Sequence, residues 1–290
     1  EGTAFNKSMG GTGIATRNRR FINYLNPAAV TERDSLSFMA DFGLVQKNTL
    51  YTQGDLRSAN NTFNIYNFIL SFPIYRSSAF MVGITPYSDV GYDFSSIETD
   101  PDIIGNTGNI SYDSYGTGSV YQAFFGAGVT FWKRLSLGAE AIYYFGNIDK
   151  ITNMNYSDGS YRSLNSGNEL MVRGATGKFG LQYEQKLGGD LSMIIGATYK
   201  LGTNMKGYST SFRYANQSSV TDSLRYTVDT LGASGLRFGD EIGLGISVKK
   251  GEKWSAEFNY LRSDWTKSGF DSAKGFAVSG NSTFSSTVSQ

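Results

Sequence analysis

The side chains that most often carry out chemistry in proteins are missing from this sequence. Its 290 residues contain no cysteine and no histidine, which excludes thiolate and imidazole chemistry, disulfide bonds and zinc–thiolate sites. A nucleophilic serine therefore has no histidine partner, and no spacing singles out a serine–lysine pair. We predict no catalytic residue, no metal site and no cofactor, and hence a protein that is not an enzyme.

Two short motifs have residues that bind phosphate or metal ions in other proteins, and neither has the spacing that such a site needs. Gly11–Gly13 has the Gly-Thr-Gly composition of a phosphate loop, but no strand precedes it and Thr16 stands where a third glycine is needed. Asp100 and Asp102 could hold a metal, yet no further ligand lies at a fixed spacing, so we interpret them as solvated loop acids. With 26 basic and 25 acidic side chains, the charge balance does not indicate nucleic-acid binding.

The clearest structural pattern is a β-hairpin in residues 120–147. Apolar side chains occupy the odd positions of residues 120–131 and of residues 135–145, and mainly glycine, small or polar side chains lie between them. A period of two places alternate side chains on opposite faces of a strand. Each arm has about ten residues or more, the length that a tilted strand needs to cross a bilayer.

The same alternation recurs along most of the chain. It predicts strands near residues 36–44, 66–74, 79–94, 178–184, 191–200, 242–248 and 254–260, and a tenth strand that begins near Phe276. Short connections fall at residues 76–78, 133–134, 188–190 and 250–253, and long polar loops near residues 95–117, 149–170 and 206–235. Short turns on one side, long loops on the other and aromatic residues at strand ends are typical of outer-membrane barrels. We therefore predict an all-β protein whose residues 35–290 form a transmembrane antiparallel up-and-down β-barrel; a soluble extracellular β-sandwich is the alternative.

Residues 1–34 differ from the strands and are available to fill the barrel lumen. Asn26 before Pro27 is a helix-start signal, and we expect a compact segment with one or two short helical turns. This segment is predicted to be a hatch, or plug, whose characteristic residues are Gly10, Gly11, Gly13, Asn26, Pro27 and Ala28.

Polar residues on the non-apolar phase of the strands should point into the lumen. Glu140, Lys178 and Glu241 are the predicted lumen-facing charges. One hypothesis is that Arg17, Arg19 and Arg20 dock the hatch by pairing with acids such as Glu140 and Glu241; the alternative is a solvated basic tail.

Pro86 lies in phase within the predicted third strand, near Gly83. Because proline lacks the N–H that a β-ladder needs, it marks an edge, a bulge or a break. It predicts either a bulge near the end of the membrane-spanning part or a lateral opening through which a hydrophobic ligand could pass.

Three motifs resemble the FadL/TodX (OMPP1) family of outer-membrane transporters of hydrophobic compounds. They are Ser8–Ala15 (SMGGTGIA), Asn26–Val30 (NPAAV) and Lys253–Tyr260 (KWSAEFNY), and the Tyr- and Asn-rich loops resemble members from Bacteroidetes. The resemblance implies a barrel of about fourteen strands in the bacterial outer membrane, with an N-terminal hatch and a kinked third strand that opens to the membrane. It also implies contact with outer-membrane lipid and with a small, fatty-acid-like hydrophobic molecule, and no nucleic acid.

Two expectations remain open at this point. Only nine strands and the start of a tenth can be counted, so we expect further C-terminal strands that residues 35–290 do not include. Bacteroidetes relatives can also be non-transport barrel subunits or scaffolds of an outer-membrane secretion or assembly complex, which would require protein partners.

Overall fold

Antiparallel β-strands make up most of the fold. The computed structural model describes residues 2–33, 37–53, 56–217, 220–221, 225–231, 236–251, 253–266 and 287–289. The strands are β1 (Met39–Gln53), β2 (Leu56–Tyr75), β3 (Ser78–Asp89), β4 (Tyr92–Ile97), β5 (Ile110–Phe131), β6 (Leu135–Tyr156), β7 (Ser163–Gly188), β8 (Leu191–Lys200), β9 (Thr203–Asn204), β10 (Lys206–Gln217), β11 (Val220–Thr221), β12 (Arg225–Leu231), β13 (Arg237–Phe238), β14 (Asp240–Lys250), β15 (Trp254–Asp264) and β16 (Thr287–Ser289). The helices are α1 (Ala4–Ser8), a 3-10 helix (Pro27–Thr31) and α2 (Pro101–Thr107).

One large sheet contains fourteen of these strands. Its main path runs β1-β2-β3-β5-β6-β7-β8-β14-β15-β16, and β4, β10, β11 and β12 branch from it, while β9 and β13 pair separately. Within the described residues the sheet does not close, since β1 pairs only with β2 and β16 pairs only with β15. The same residues contain no helix that is both long and apolar enough to cross a membrane.

The two faces of the sheet differ in the way that the alternating pattern predicts. In the central parts of β5 and β6 the even positions 120–126 and 140–144 are buried; they include Phe124 and Glu140, at 3% and 5% exposure. The odd positions between them are apolar and more exposed, as Phe125 shows at 53%. We call the buried side the inner face and the apolar side the outer face. An exposed apolar outer face is typical of strands that contact lipid, and it is the reverse of a soluble sandwich, whose apolar face is buried.

The short connections also follow the prediction. The β2–β3, β5–β6, β7–β8 and β14–β15 connections join adjacent antiparallel strands and therefore lie at one end of the sheet, the short-turn end. In the β5–β6 turn, Trp132 and Lys133 have φ values of 50° and 59°, and the Arg134 N–H donates to the Phe131 carbonyl over 3.0 Å. Positive φ at both central positions is the backbone of a type I′ turn, which suits the twist of a hairpin.

Nine predicted strands are confirmed, and several predicted boundaries are wrong. Residues 79–94 do not form one strand, because β3 ends at Asp89 and β4 begins at Tyr92. The supposed loops at 149–170 and 206–235 largely continue as strands: β6 and β7 extend into the first, and β10 and β12 lie in the second. Their Asn- and Ser-rich composition is typical of loops, but ladder hydrogen bonds need only backbone groups. The strand predicted from Phe276 lies outside the described residues, as do Ser35 and Leu36, where the first strand was expected to begin.

Candidate functional site

The N-terminal segment, residues 2–33, packs against the inner face. Its 3-10 helix begins at Pro27, as the sequence predicts, and all five of its residues are buried. Asn26 caps this helix by accepting the Ala28 N–H over 3.0 Å. The Asn26 side-chain amide also donates to the carbonyls of Ile14 over 2.7 Å and of Leu181, on β7, over 3.2 Å. One asparagine therefore joins three parts of the structure: the 3-10 helix, the loop before it and the large sheet, which we also call the wall.

A row of glycines lets the backbone of this segment approach the strands closely. A Cβ atom at Gly138 would collide with the Ala28 backbone nitrogen, and one at Gly196 would collide with the Ile14 carbonyl oxygen. Cross-strand pairing joins Gly128 to Gly138 and Gly138 to Gly180, and it joins Gly196 to Gly245; Gly180 and Gly196 are offset by two residues across β7 and β8. We call Gly128, Gly138, Gly180, Gly196 and Gly245 the glycine band. Glycine inside a strand often marks such a close backbone approach.

Arg17 holds the middle of the N-terminal segment in place through ion pairs. Its guanidinium lies 2.8 Å from Glu32 and 4.0 Å from Glu184 on β7, and Arg17 is only 6% exposed. Arg19 also pairs with Glu32, over 3.1 Å, and Lys249 lies 3.7 Å from Glu184. A buried charge is tolerated when it is paired and hydrogen-bonded, so removal of either partner should weaken docking.

The predicted partners of these arginines were wrong. Arg17 pairs with Glu32 of its own segment and with Glu184 on β7, and Arg19 pairs with Glu32, so the acid on the strands is Glu184 where Glu140 and Glu241 were expected. The physical reason is position: Glu140 lies opposite Lys178, while the Lys200 ammonium lies 3.1 Å from Glu241.

The inner face instead carries a belt of charges across neighbouring strands. Successive cross-strand partners bring together Glu140, Lys178, Lys200, Glu241 and Ser263. The two opposed pairs of opposite charge, Glu140 with Lys178 and Glu241 with Lys200, stabilise the sheet locally, whereas Lys178 lies directly opposite the like-charged Lys200. All three of the predicted lumen-facing residues belong to this belt, and Glu140 and Lys178 are 5% and 8% exposed.

The wall is incomplete beside Pro86. The β2–β3 ladder ends at the Phe68–Ile84 pair, two residues before Pro86, whereas β3 continues to pair with β5 as far as Asp89. The β3–β5 register shifts between Pro86 and Ser88, which is the bulge that the proline predicts. The structure therefore brings Pro86 next to a stretch of β3 that has no β2 partner among the described residues. Gly83 lies just below this stretch, where an added Cβ would approach Phe124 to 2.7 Å.

Two contacts at this gap were not predicted from the sequence. Lys7 of α1 lies 3.4 Å from the ring centroid of Tyr66 on β2, which places the N-terminal segment beside the gap. Asn67, the next residue, is 1% exposed and donates to Asp41, while its side-chain oxygen has no hydrogen-bond partner in the described part of the chain. The only sequence signal was the polar Asn67 on the inner phase of an apolar strand.

An aromatic cluster on the inner face was also missed. Phe238 stacks on Tyr87 with 5.0 Å between ring centroids, and it meets Tyr144 at 5.0 Å and Trp265 at 6.0 Å. Phe238 lies outside the predicted strands, so nothing in the sequence pointed it inward. This cluster and Tyr24, which stacks on Phe124, give the inner face a substantial apolar lining.

The glycines after α1 and the acidic residues Asp100 and Asp102 form local turns and caps. Gly10 and Gly11 follow α1 with φ values of 73° and 84°, which suit glycine, and the Gly13 carbonyl accepts from the Asn23 side-chain amide over 2.6 Å. Asp100 caps α2 by accepting the Asp102 N–H over 3.0 Å. Among the described residues, no group of three or more acids could hold a metal ion.

Acid should loosen the Arg17 anchor. Burial raises the pKa of Glu32, but the charges and hydrogen bonds of Arg17 and Arg19 outweigh burial and hold that pKa below its ordinary value. A lowered folded-state pKa contributes stability above the ordinary pKa, and this contribution is lost as the pH falls through the folded value. We expect the hydrogen-exchange protection of residues 14–33, relative to the intrinsic exchange rate, to fall as the pH drops below the ordinary pKa of glutamate. A Glu32→Gln variant should remove most of this pH dependence; a dependence that persists unchanged would contradict the assignment.

The comparisons with known proteins agree with this architecture. A family model described as BamG matches residues 1–287. The chain belongs to the BamG family. The family shown is therefore BamG and not FadL/TodX, which the sequence motifs resemble. Comparison with curated proteins gives no match for this member of the BamG family.

Two solved structures show the fold of this BamG-family chain. The CymD monoaromatic hydrocarbon channel is 15% identical, with a TM-score of 0.55, over 90% of this chain and 68% of that one. The Pseudomonas putida toluene transporter TodX is 14% identical, with a TM-score of 0.52, over 90% of this chain and 69% of that one. At these identities the similarity establishes a common β-fold.

Proposed function

We propose that this protein lets small hydrophobic, fatty-acid-like molecules diffuse across a bacterial outer membrane and leave sideways through its wall. The observation that carries the proposal is the end of the β2–β3 ladder beside Pro86, within an apolar outer face. A ligand that leaves there passes directly into lipid and never has to cross water. CymD and TodX, which share the fold, are respectively a monoaromatic hydrocarbon channel and a toluene transporter.

The N-terminal segment is the proposed hatch on this route. Its α1 contacts Tyr66 at the gap, and its 3-10 helix rests on the glycine band. In the proposed orientation the short-turn end faces the periplasm, as in bacterial barrels. Asn26, Pro27 and Ala28 hold the hatch, the belt residues Glu140, Lys178 and Glu241 line the lumen, and no covalent chemistry takes part.

The proposal is tested by uptake of oleate and of toluene in cells that express defined variants. Pro86→Ala restores an N–H and should narrow the gap, so we expect uptake to fall several-fold. Pro73→Ala is the matched control, because Pro73 also lies in a strand but near the short-turn end. Deletion of residues 2–25 should increase leakage of hydrophobic compounds. Unchanged uptake in the Pro86→Ala variant and in the deletion variant, at normal expression, would overturn the mechanism.

A second candidate is a non-transport barrel subunit or scaffold of an outer-membrane secretion or assembly complex. The specific observation in its favour is that residues 1–287 match the family model described as BamG. Purification in mild detergent separates the two functions. Stoichiometric protein partners would favour the scaffold, and a hydrophobic molecule bound on the inner face would favour the channel.

A further inference from the structure

A large concavity lies at the short-turn end of the sheet. It is a cleft of about 1010 Å³. Its floor is the N-terminal segment, and its rim includes residues of the short turns, such as Arg76, Lys133 and Lys253. We call it the basic cleft.

The charge of this cleft differs from that of the chain. Among the described residues that line it, nine are lysine or arginine and three are glutamate. The whole sequence is nearly balanced, at 26 basic and 25 acidic side chains. About a third of all basic residues thus surround one cleft. Charge concentrated in a concave surface focuses the electrostatic field and attracts groups of the opposite sign.

Internal ion pairs account for only part of this charge. Glu32 pairs with Arg17 and Arg19, and Glu184 pairs with Arg17 and Lys249. Glu257 accepts the Ala15 N–H over 2.8 Å. The three lining acids are therefore already engaged in holding the N-terminal segment. The exposed turn cations remain as an excess of positive charge at the mouth of the cleft.

Aromatic side chains accompany the cations. Phe5 and Phe21 stack with 4.5 Å between ring centroids, and both line the cleft. Phe21 is 41% exposed, and Trp254, on another wall, is 50% exposed. Exposed aromatic residues beside arginines are the composition of interface hot spots.

We propose that the basic cleft binds an extended acidic segment of a partner protein, with carboxylates on the rim cations and apolar side chains on Phe21 and Trp254. The cations are spread over both the rim and the floor, which suits several carboxylates along one peptide better than a single phosphate. Phe5, Phe21 and the arginines of the N-terminal segment lie on the inner side of the sheet, which disfavours a membrane lipid. The inference does not depend on the proposed passage of hydrophobic molecules.

The test uses the full chain in detergent and a fluorescent octapeptide, Asp-Glu-Phe-Asp-Glu-Phe-Asp-Glu, with fluorescence anisotropy as the readout. We expect saturable binding that weakens between 0.05 and 0.3 M NaCl, and no binding of the matched Asn/Gln peptide. The triple variant Arg76→Gln, Lys133→Gln, Lys253→Gln should weaken binding by about tenfold, from three modest rim contributions. These side chains are exposed, and retained heat-modifiable mobility on gels would verify folding.

The matched control removes the same charge at the opposite end of the sheet. Arg173→Gln, Lys206→Gln, Arg213→Gln alters three exposed residues of β7 and β10 and should leave peptide binding unchanged. Equal losses in both triple variants, or equal binding of the neutral peptide, would overturn the proposal. So would tighter binding of dihexanoyl phosphatidylglycerol than of the acidic peptide with the same dependence on the rim cations. Oleate uptake should be normal in the rim variant, so failure of this inference can be distinguished from failure of the proposed channel.

Discussion

Gly138→Ala is expected to dislodge the N-terminal segment from the inner face. The added Cβ would collide with the backbone nitrogen of Ala28 and the backbone carbonyl group of Pro27. Backbone atoms cannot rotate away as a side chain can, and the 3-10 helix is held by the Asn26 cap. Overpacking of a close contact costs roughly 1–3 kcal/mol. We expect a lower thermal midpoint and faster hydrogen exchange across residues 14–31.

Gly177→Ala is the matched control for this prediction. Gly177 also lies in a strand, but a Cβ there would be 3.7 Å from Leu201 and 3.9 Å from the Glu140 carbonyl oxygen, which are ordinary van der Waals distances. Its effect should stay within about 0.5 kcal/mol. If the two alanine variants exchange equally in residues 14–31, the glycine band does not seat the segment.

The alternating pattern predicted the strands and their faces because successive side chains of a β-strand point to opposite faces. Phe125 and Phe179 fell on the apolar phase, and both are about half exposed on the outer face. Glu140 fell on the other phase and is buried on the inner face. A side chain's phase along the strand depends only on local geometry, so the sequence alone is sufficient for it.

The lengths of the strands could not be predicted in the same way. Residues 149–156 and 163–170 have the polar composition of a loop, yet Asp149 pairs with Glu169 and Asn153 pairs with Asn165. Outside the bilayer a strand needs no apolar face, and the ladder continues as long as the backbones remain adjacent. The β10–β12 hairpin was missed for the same reason.

The contacts of the N-terminal segment depended on its path, which no periodic pattern encodes. Arg17 pairs with Glu32 because the 3-10 helix turns the chain back between them. The glycine band, in contrast, left a readable signal. Gly128, Gly138 and Gly180 all fall on the inner phase, where glycine indicates close approach of another backbone.

Locking the N-terminal segment to the wall is expected to stop the proposed passage of hydrophobic molecules. The hydroxyl oxygens of Thr31, in the 3-10 helix, and Thr130, on β5, are 2.6 Å apart. Cysteines at both positions should form a disulfide. Because the chain has no cysteine of its own, no other disulfide can form within it. If the segment must move to let a ligand reach the gap, oxidation should lower toluene uptake by about tenfold or more, and dithiothreitol should restore it.

A second disulfide separates movement of the segment from stiffening of the wall. Ser114 and Thr152 face each other across β5 and β6 with their hydroxyl oxygens 3.2 Å apart, and neither contacts residues 2–33 in the hydrogen bonds of the described chain. The oxidised Ser114→Cys, Thr152→Cys protein should keep normal uptake. Equal uptake by the oxidised and reduced forms of the Thr31–Thr130 pair would show that the segment does not gate passage. Because a fixed segment could still support a partner protein, that result would favour the scaffold function.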